Sequence, residues 1–191
     1  MDQVLPCNRP FARPLYLWEI DEARLVFGDQ LSYRQVRIHE CNPWPNRINR
    51  LGVFMKTRLG KMKKPAHLSD NAITLGNHCY FPVRLPERPD RNDPETHRKV
   101  CWIIHELTHA WQFQQMGWRY LPKALLGQFR AGYDFGGEAG LQAHAITGSG
   151  LKSFNLEQQG DICRTYYDRV CKGLNVEAWA SYIDRDIKRL V

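Results

Sequence analysis

His105-Glu106-Leu107-Thr108-His109 lies at the centre of the apolar-rich run Val100-Cys101-Trp102-Ile103-Ile104-His105-Glu106-Leu107-Thr108-His109-Ala110-Trp111. Val100, Ile103, Ile104, Leu107, Ala110 and Trp111 recur at helical spacing, so this is one amphipathic helix. Residues four apart on a helix share a face, and both imidazoles can reach one metal ion. The intervening Glu106 stands where a base for a water is needed. Asp93 is the expected N-cap, Pro94 the first helical residue and Gly117 the stop after Met116.

Working outward, Asp21 is expected to cap a short helix over 22–27 that Gly28 ends. Tyr33 to His39 alternates apolar with polar residues and predicts a half-buried strand, and Ile73 to Phe81 predicts a second strand with a bulge at Gly76. Residues 47–72 are basic and without clear periodicity, and residues 82–93 read as a loop. A helix is expected from Leu121-Pro122 to Gly132, then a glycine-rich turn to Gly137. Asn155, with Gln158 reaching back, predicts the start of a helix that ends near Lys172-Gly173. Asn175 caps a last helix carrying Trp179, Ile183, Ile187 and Leu190. The fold class is α+β, mainly helical, with a small antiparallel or mixed sheet beside the His105–His109 helix. Residues 1–14, broken by Pro6, Pro10 and Pro14, read as an extended arm before one domain over 15–191.

The 191 residues are 43% hydrophobic and 25% charged, ordinary for a globular domain. No run approaches the ~20 apolar residues of a membrane-spanning helix, and the N-terminus has no Sec-type signal pattern. The net charge of +7 favours anionic surfaces, with Lys56, Arg58, Lys61, Lys63 and Lys64 the densest cluster, but no nucleic-acid motif accompanies it. The six cysteines form no CxxC pair, which argues against a zinc ribbon. Cys101 and Cys163 fall in helices as buried thiols, and no disulfide pairing can be read.

Two histidines underdetermine a catalytic zinc site, which commonly takes three protein ligands and a water. His39, His67, His78, His97 and His144 are candidates, but glutamines at 112 and 115 exclude a third histidine close behind the motif. Glu157, on the separate helix after Asn155, is the better candidate, an arrangement similar to that of thermolysin. Asp161, one turn on, is placed to accept from the free nitrogen of a ligand histidine. Tyr133, in the glycine-rich turn, is the candidate donor to an oxyanion, with Tyr166 and Tyr167 as alternatives. Tyr166 falls on the helix face opposite Glu157 and reads as core.

Ile104 to Gln112, followed by Phe154-Asn155-Leu156-Glu157-Gln158-Gln159, resembles the metallopeptidase domains of bacterial contractile injection systems. These include the C-terminal metallopeptidase extension of some type VI secretion spike proteins. Gly28 to Ser32, Val36 to His39 and Ile73 to Asn77 fit the same pattern, so the resemblance spans most of residues 20–170. It implies a zincin-like fold, Zn2+ held by His105, His109 and Glu157, and Glu106 as the catalytic glutamate. It further implies an antibacterial effector, secreted without a Sec signal and acting in a target bacterium's periplasm, or less often on a eukaryotic target, on a peptide bond or a peptidoglycan cross-link. A cognate immunity protein and a spike or adaptor are the implied partners. With no spike domain before it, the chain would be a free-standing cargo effector or an excised domain. Gly160 stands where the family is expected to have Ala. Two other classes fit the motif: a DNA-associated zinc protease of the SprT type, and a non-catalytic module with a structural metal.

Overall fold

The computed structural model describes residues 7, 9–47, 71–119 and 134–189. The expected helix over 121–132, most of the basic cluster's stretch and Tyr133 lie outside these residues.

The central element is the long helix α2 (Pro94–Met116). The Asp93 side chain accepts from Thr96 N–H at its start, Pro94 occupies the first turn, and Gly117 at φ +61° ends it. Its apolar side, Val100, Ile103, Ile104, Leu107, Ala110 and Trp111, is buried as the periodicity requires. One side of α2 packs on the sheet, and the other on α4 (Leu156–Cys171). The helix α4 starts in a reciprocal box in which Asn155 accepts from Gln158 N–H and Gln158 accepts from Asn155 N–H.

Among the described residues the sheet has four short strands in the order β1-β2-β4-β3: β1 (Phe11–Arg13), β2 (Arg37–Glu40), β3 (Ile73–Leu75) and β4 (His78–Tyr80). β1 pairs antiparallel with β2, β2 parallel with β4, and β3 antiparallel with β4. The sheet is therefore mixed. Thr74, Ile38 and Cys79 turn inward to the core, while Leu75, His78 and His39 turn outward.

Several local expectations change. The segment Ile73 to Phe81 is a hairpin rather than one bulged strand. Gly76, at φ +62°, is the first of two turn residues, the position at which a type II′ turn needs positive φ. Only Arg37–His39 of the alternating stretch is strand, and β2 runs on to Glu40. Tyr33–Gln35 forms a 3₁₀ turn because the Tyr33 hydroxyl reaches back to the Gly28 carbonyl at 2.6 Å. The first helix, α1 (Leu17–Phe27), starts before Asp21, since Glu19 reaches back to the Tyr16 N–H at 2.8 Å. Phe11–Arg13 lies in the sheet, tied down by Arg13, which binds Glu19 bidentately at 2.7 and 2.8 Å and Glu40 at 2.6 Å. A disulfide joins Cys7 to Cys41.

A helix that the sequence does not announce, α3 (Gly137–Ile146), buries only Leu141, so it carries no apolar stripe to read. The chain ends in α5 (Glu177–Tyr182), which runs into a π turn over Ile183–Lys188. Trp179, Tyr182, Ile183 and Ile187 are buried there, and the Tyr182 hydroxyl holds the Leu141 carbonyl at 2.7 Å.

Candidate metal centre

His105 and His109 project from α2 toward the first turn of α4, where Glu157 meets them. The two Nε2 atoms are 3.2 Å apart, and Glu157 Oε2 is 3.5 Å from each. Three donors at the corners of so even a triangle match one face of a tetrahedron around zinc, whose N and O ligands at about 2.0–2.2 Å stand roughly 3.3–3.5 Å apart. The donor set is two neutral imidazoles and a carboxylate, which suits zinc. All three residues are buried, at 7%, 4% and 5% exposure.

Their electrostatics fit a cage built around charge. Burial pulls the His105 imidazole down, but Asp161, Glu157 and Glu106 outweigh it and push it up to about 9. Burial acts the same way on His109, and Glu157 again prevails, raising it. Burial pushes the Glu157 carboxyl up, yet the two imidazoles hold it well below the usual carboxylate range.

The ring orientations are set from behind. His109 Nδ1 faces Gln112 Oε1 at 2.9 Å, and Gln112 in turn donates to the Leu156 carbonyl at 3.1 Å and to Gln159 Oε1 at 2.9 Å. An N–H on Nδ1 donating to that amide oxygen leaves Nε2 free to ligate. His105 Nδ1 lies 3.0 Å from Asp161 Oδ1, within ion-pair distance. Arg164 sits 3.2 Å from the same oxygen. Gly160 lies against the His105 ring, and a Cβ there would come within 2.7 Å of Cε1 and 2.9 Å of Nδ1. With the ring in this position, alanine does not fit.

Glu106 points to the sheet side of α2. The Thr74 hydroxyl donates to its Oε2 at 2.7 Å, which fixes one carboxylate oxygen and leaves the other. Sequence reasoning missed both Thr74 and Gln112. Nothing local marks Thr74, whereas a glutamine one turn beyond a candidate ligand histidine, on a buried helix face, was a usable signal.

The remaining histidines lie elsewhere. His39 and His78 pair with each other at 2.8 Å on the outer sheet face, where His39 stacks on Tyr80. His144 faces Ser153 at 3.2 Å and packs on Phe154. His97 pairs with Asp168 at 2.7 Å, and His67 is outside the described residues. Tyr166 is buried in the core, and the Tyr167 hydroxyl donates to Glu22 at 2.8 Å.

No protein-family model matches the chain. Over 157 residues, 81% of its length, it is 30% identical to the type VI secretion system spike protein VgrG2b of Pseudomonas aeruginosa, of which it spans only 13%. It is also similar to the solved effector domain of Pseudomonas aeruginosa VgrG2b, with a TM-score of 0.50 and 21% identity over 96% of this chain and 88% of that one. The chain thus has the fold of a spike protein's effector domain.

Proposed function

We propose that this chain is a zinc-dependent metallopeptidase of zincin-like fold, an antibacterial effector carried by a type VI secretion system into the periplasm of a target bacterium. The observation that carries the reading is the His105–His109–Glu157 triangle with Glu106 beside it, anchored by Thr74. The triangle offers three protein ligands among the described residues, the number a catalytic zinc commonly takes beside a water. The likeness to the VgrG2b effector domain supports delivery with a secretion spike or adaptor, and a cognate immunity protein follows from a toxin's need to spare its producer. The Cys7–Cys41 disulfide fits an oxidising compartment such as the periplasm.

When bound, the ion supplies Lewis acidity, acidifying a water and polarising the carbonyl of the scissile amide. Glu106 accepts the water's proton on the oxygen that Thr74 does not hold, then returns it to the leaving amine. Tyr133 is the proposed donor to the oxyanion. Among the described residues β3 is an edge strand, and an extended peptide pairing along it would lie beside the residue that holds Glu106. A protein of the cell envelope or a peptidoglycan cross-link both present such an amide.

The test is the Glu106→Gln variant, expressed in the periplasm and separately in the cytoplasm. Wild-type protein should arrest growth from the periplasm alone, and the variant should bind zinc at wild-type stoichiometry without arresting growth. A toxic Glu106→Gln protein would overturn the mechanism, and equal toxicity from the cytoplasm would overturn the compartment.

A further inference from the structure

The face of α2 that carries His105 and His109 continues N-terminally through Cys101 and His97, each four residues from the next. Opposite them, three turns beyond Glu157 on α4, stands Asp168. His97 Nε2 is 2.7 Å from Asp168 Oδ1 and 3.5 Å from Cys101 Sγ, and Sγ is 3.9 Å from the same oxygen. The geometry points to a second metal site, in which His97, Cys101 and Asp168 hold a divalent ion of borderline softness such as zinc.

The dimensions support it. With bonds of about 2.0 Å to nitrogen and oxygen and 2.3 Å to sulfur, tetrahedral ligands stand roughly 3.3–3.6 Å apart. Two edges of the His97–Cys101–Asp168 triangle lie near that range. The third, the His97–Asp168 hydrogen bond, opens by about half an ångström when an ion replaces its proton. The set is as compact as the His105–His109–Glu157 triangle and is built the same way, from an i, i+4 pair on α2 and one carboxylate on α4.

The ligands are also held in advance. The His97 ring stacks on Tyr167 at 5.9 Å between centroids and 19° between planes, and the Tyr167 hydroxyl is fixed by Glu22. Cys101 is buried, a soft donor whose Sγ faces both His97 Nε2 and Asp168 Oδ1. Lys172 now neutralises Asp168, with Nζ 2.7 Å from Oδ1 and 2.8 Å from Oδ2. Its side chain is 54% exposed, so it can leave for solvent when an ion arrives.

Eight residues along a helix separate His97 from His105, about 12 Å of rise. Two-metal hydrolytic centres bring their ions within about 4 Å, so the second ion shares no chemistry with the first. The ion fastens the start of α2 to the end of α4 and so steadies the helix pair that carries the first triangle.

Cobalt(II) titration of the metal-free full chain under argon tests this. A thiolate ligand gives cobalt a near-ultraviolet charge-transfer band, and the His105–His109–Glu157 site has no thiolate to produce one. The expected result is two cobalt ions per chain and a charge-transfer band. Cys101→Ala should remove the band and one ion, and Asp168→Asn should weaken binding of that ion by ~10-fold or more. The band should persist in the His105→Ala/His109→Ala double variant, which separates the two sites. Absence of the band in the wild-type protein, or its survival in Cys101→Ala, would overturn the proposal.

Discussion

Replacing Gly160 by alanine separates the needs of the helix from those of the metal. Gly160 sits inside α4, away from positive φ, so Gly160→Ala should favour the helix by about 1 kcal/mol. The added Cβ would meet His105 Cε1 at 2.7 Å, against an ordinary carbon–carbon approach of about 3.5 Å, so the ring has to retreat by roughly 0.8 Å. Metal sites tolerate ligand displacements of about 0.2 Å. In the metal-free protein the ring can turn away, and the helix gain largely offsets the strain. With metal bound it cannot turn away without breaking a bond. The variant should therefore melt within about 1 kcal/mol of wild type after chelation, yet bind zinc ~10–100-fold more weakly, the loss typical of disturbing a ligand's support. Competition with a chromophoric chelator measures the affinity, and melting with and without EDTA measures the stability. Zinc affinity within twofold of wild type would refute the claim that Gly160 is the clearance for the His105 ring.

Thr74→Val, close to isosteric, removes the hydrogen bond to Glu106 Oε2 and should lower kcat ~10–100-fold with zinc content and KM kept, whereas Thr74→Ser should restore it; a matching loss of zinc would contradict the positioning role. In the metal-free protein His105 is raised from 6.5 to about 9, so its stabilising contribution is complete below pH 6.5 and is lost as pH climbs through 9. Zinc takes the deprotonated imidazole, so the gap in melting temperature between zinc-loaded and chelated protein should widen from pH 6.5 to 8.5, and a constant gap would contradict this. Arg13→Ala leaves Glu19 and Glu40 buried at 1% and 2% exposure without their cation and should cost about 3–5 kcal/mol, read by urea unfolding; a loss under 1 kcal/mol would mean the β1 anchor is dispensable.

What the sequence disclosed follows the range of the interactions involved. α2 and α4 could be read end to end because their caps, Asp93 with Thr96 and Asn155 with Gln158, are local, and because each buries a long apolar side. The strands are three or four residues long, too short for period-two alternation to register, and their partners come from distant segments, as Phe11–Arg13 pairs with Ile38–Glu40. Thus α2, α4 and the mixed α+β class were legible, while α3, the hairpin turn at Gly76 and the sheet order were not. α1 was misplaced because its cap is a Tyr16–Glu19 pair that matches no standard signal, with Glu19 engaged in turn by Arg13.

The same division runs through the candidate metal centre. His105, Glu106 and His109 share one helix, so their relation is fixed by helical spacing. Glu157 needed only the inference that two capped helices lie side by side, because both offer a polar interruption in a buried face. Thr74 is 32 residues from Glu106 and Gln159 is 47 from Gln112, and no periodicity spans such gaps. Gln112 is different in kind. It lies one turn beyond His109 on a helix already identified, and at 1% exposure it must find hydrogen-bond partners or destabilise the core. A buried amide at that spacing points to the imidazole it can orient, which is an inference from local sequence alone. The rule extends to the N-terminal half of α2, where His97 and Cys101 repeat the i, i+4 spacing of His105 and His109. A buried thiol one turn from a histidine, facing the helix that supplies Glu157, has the same claim to be read as a ligand.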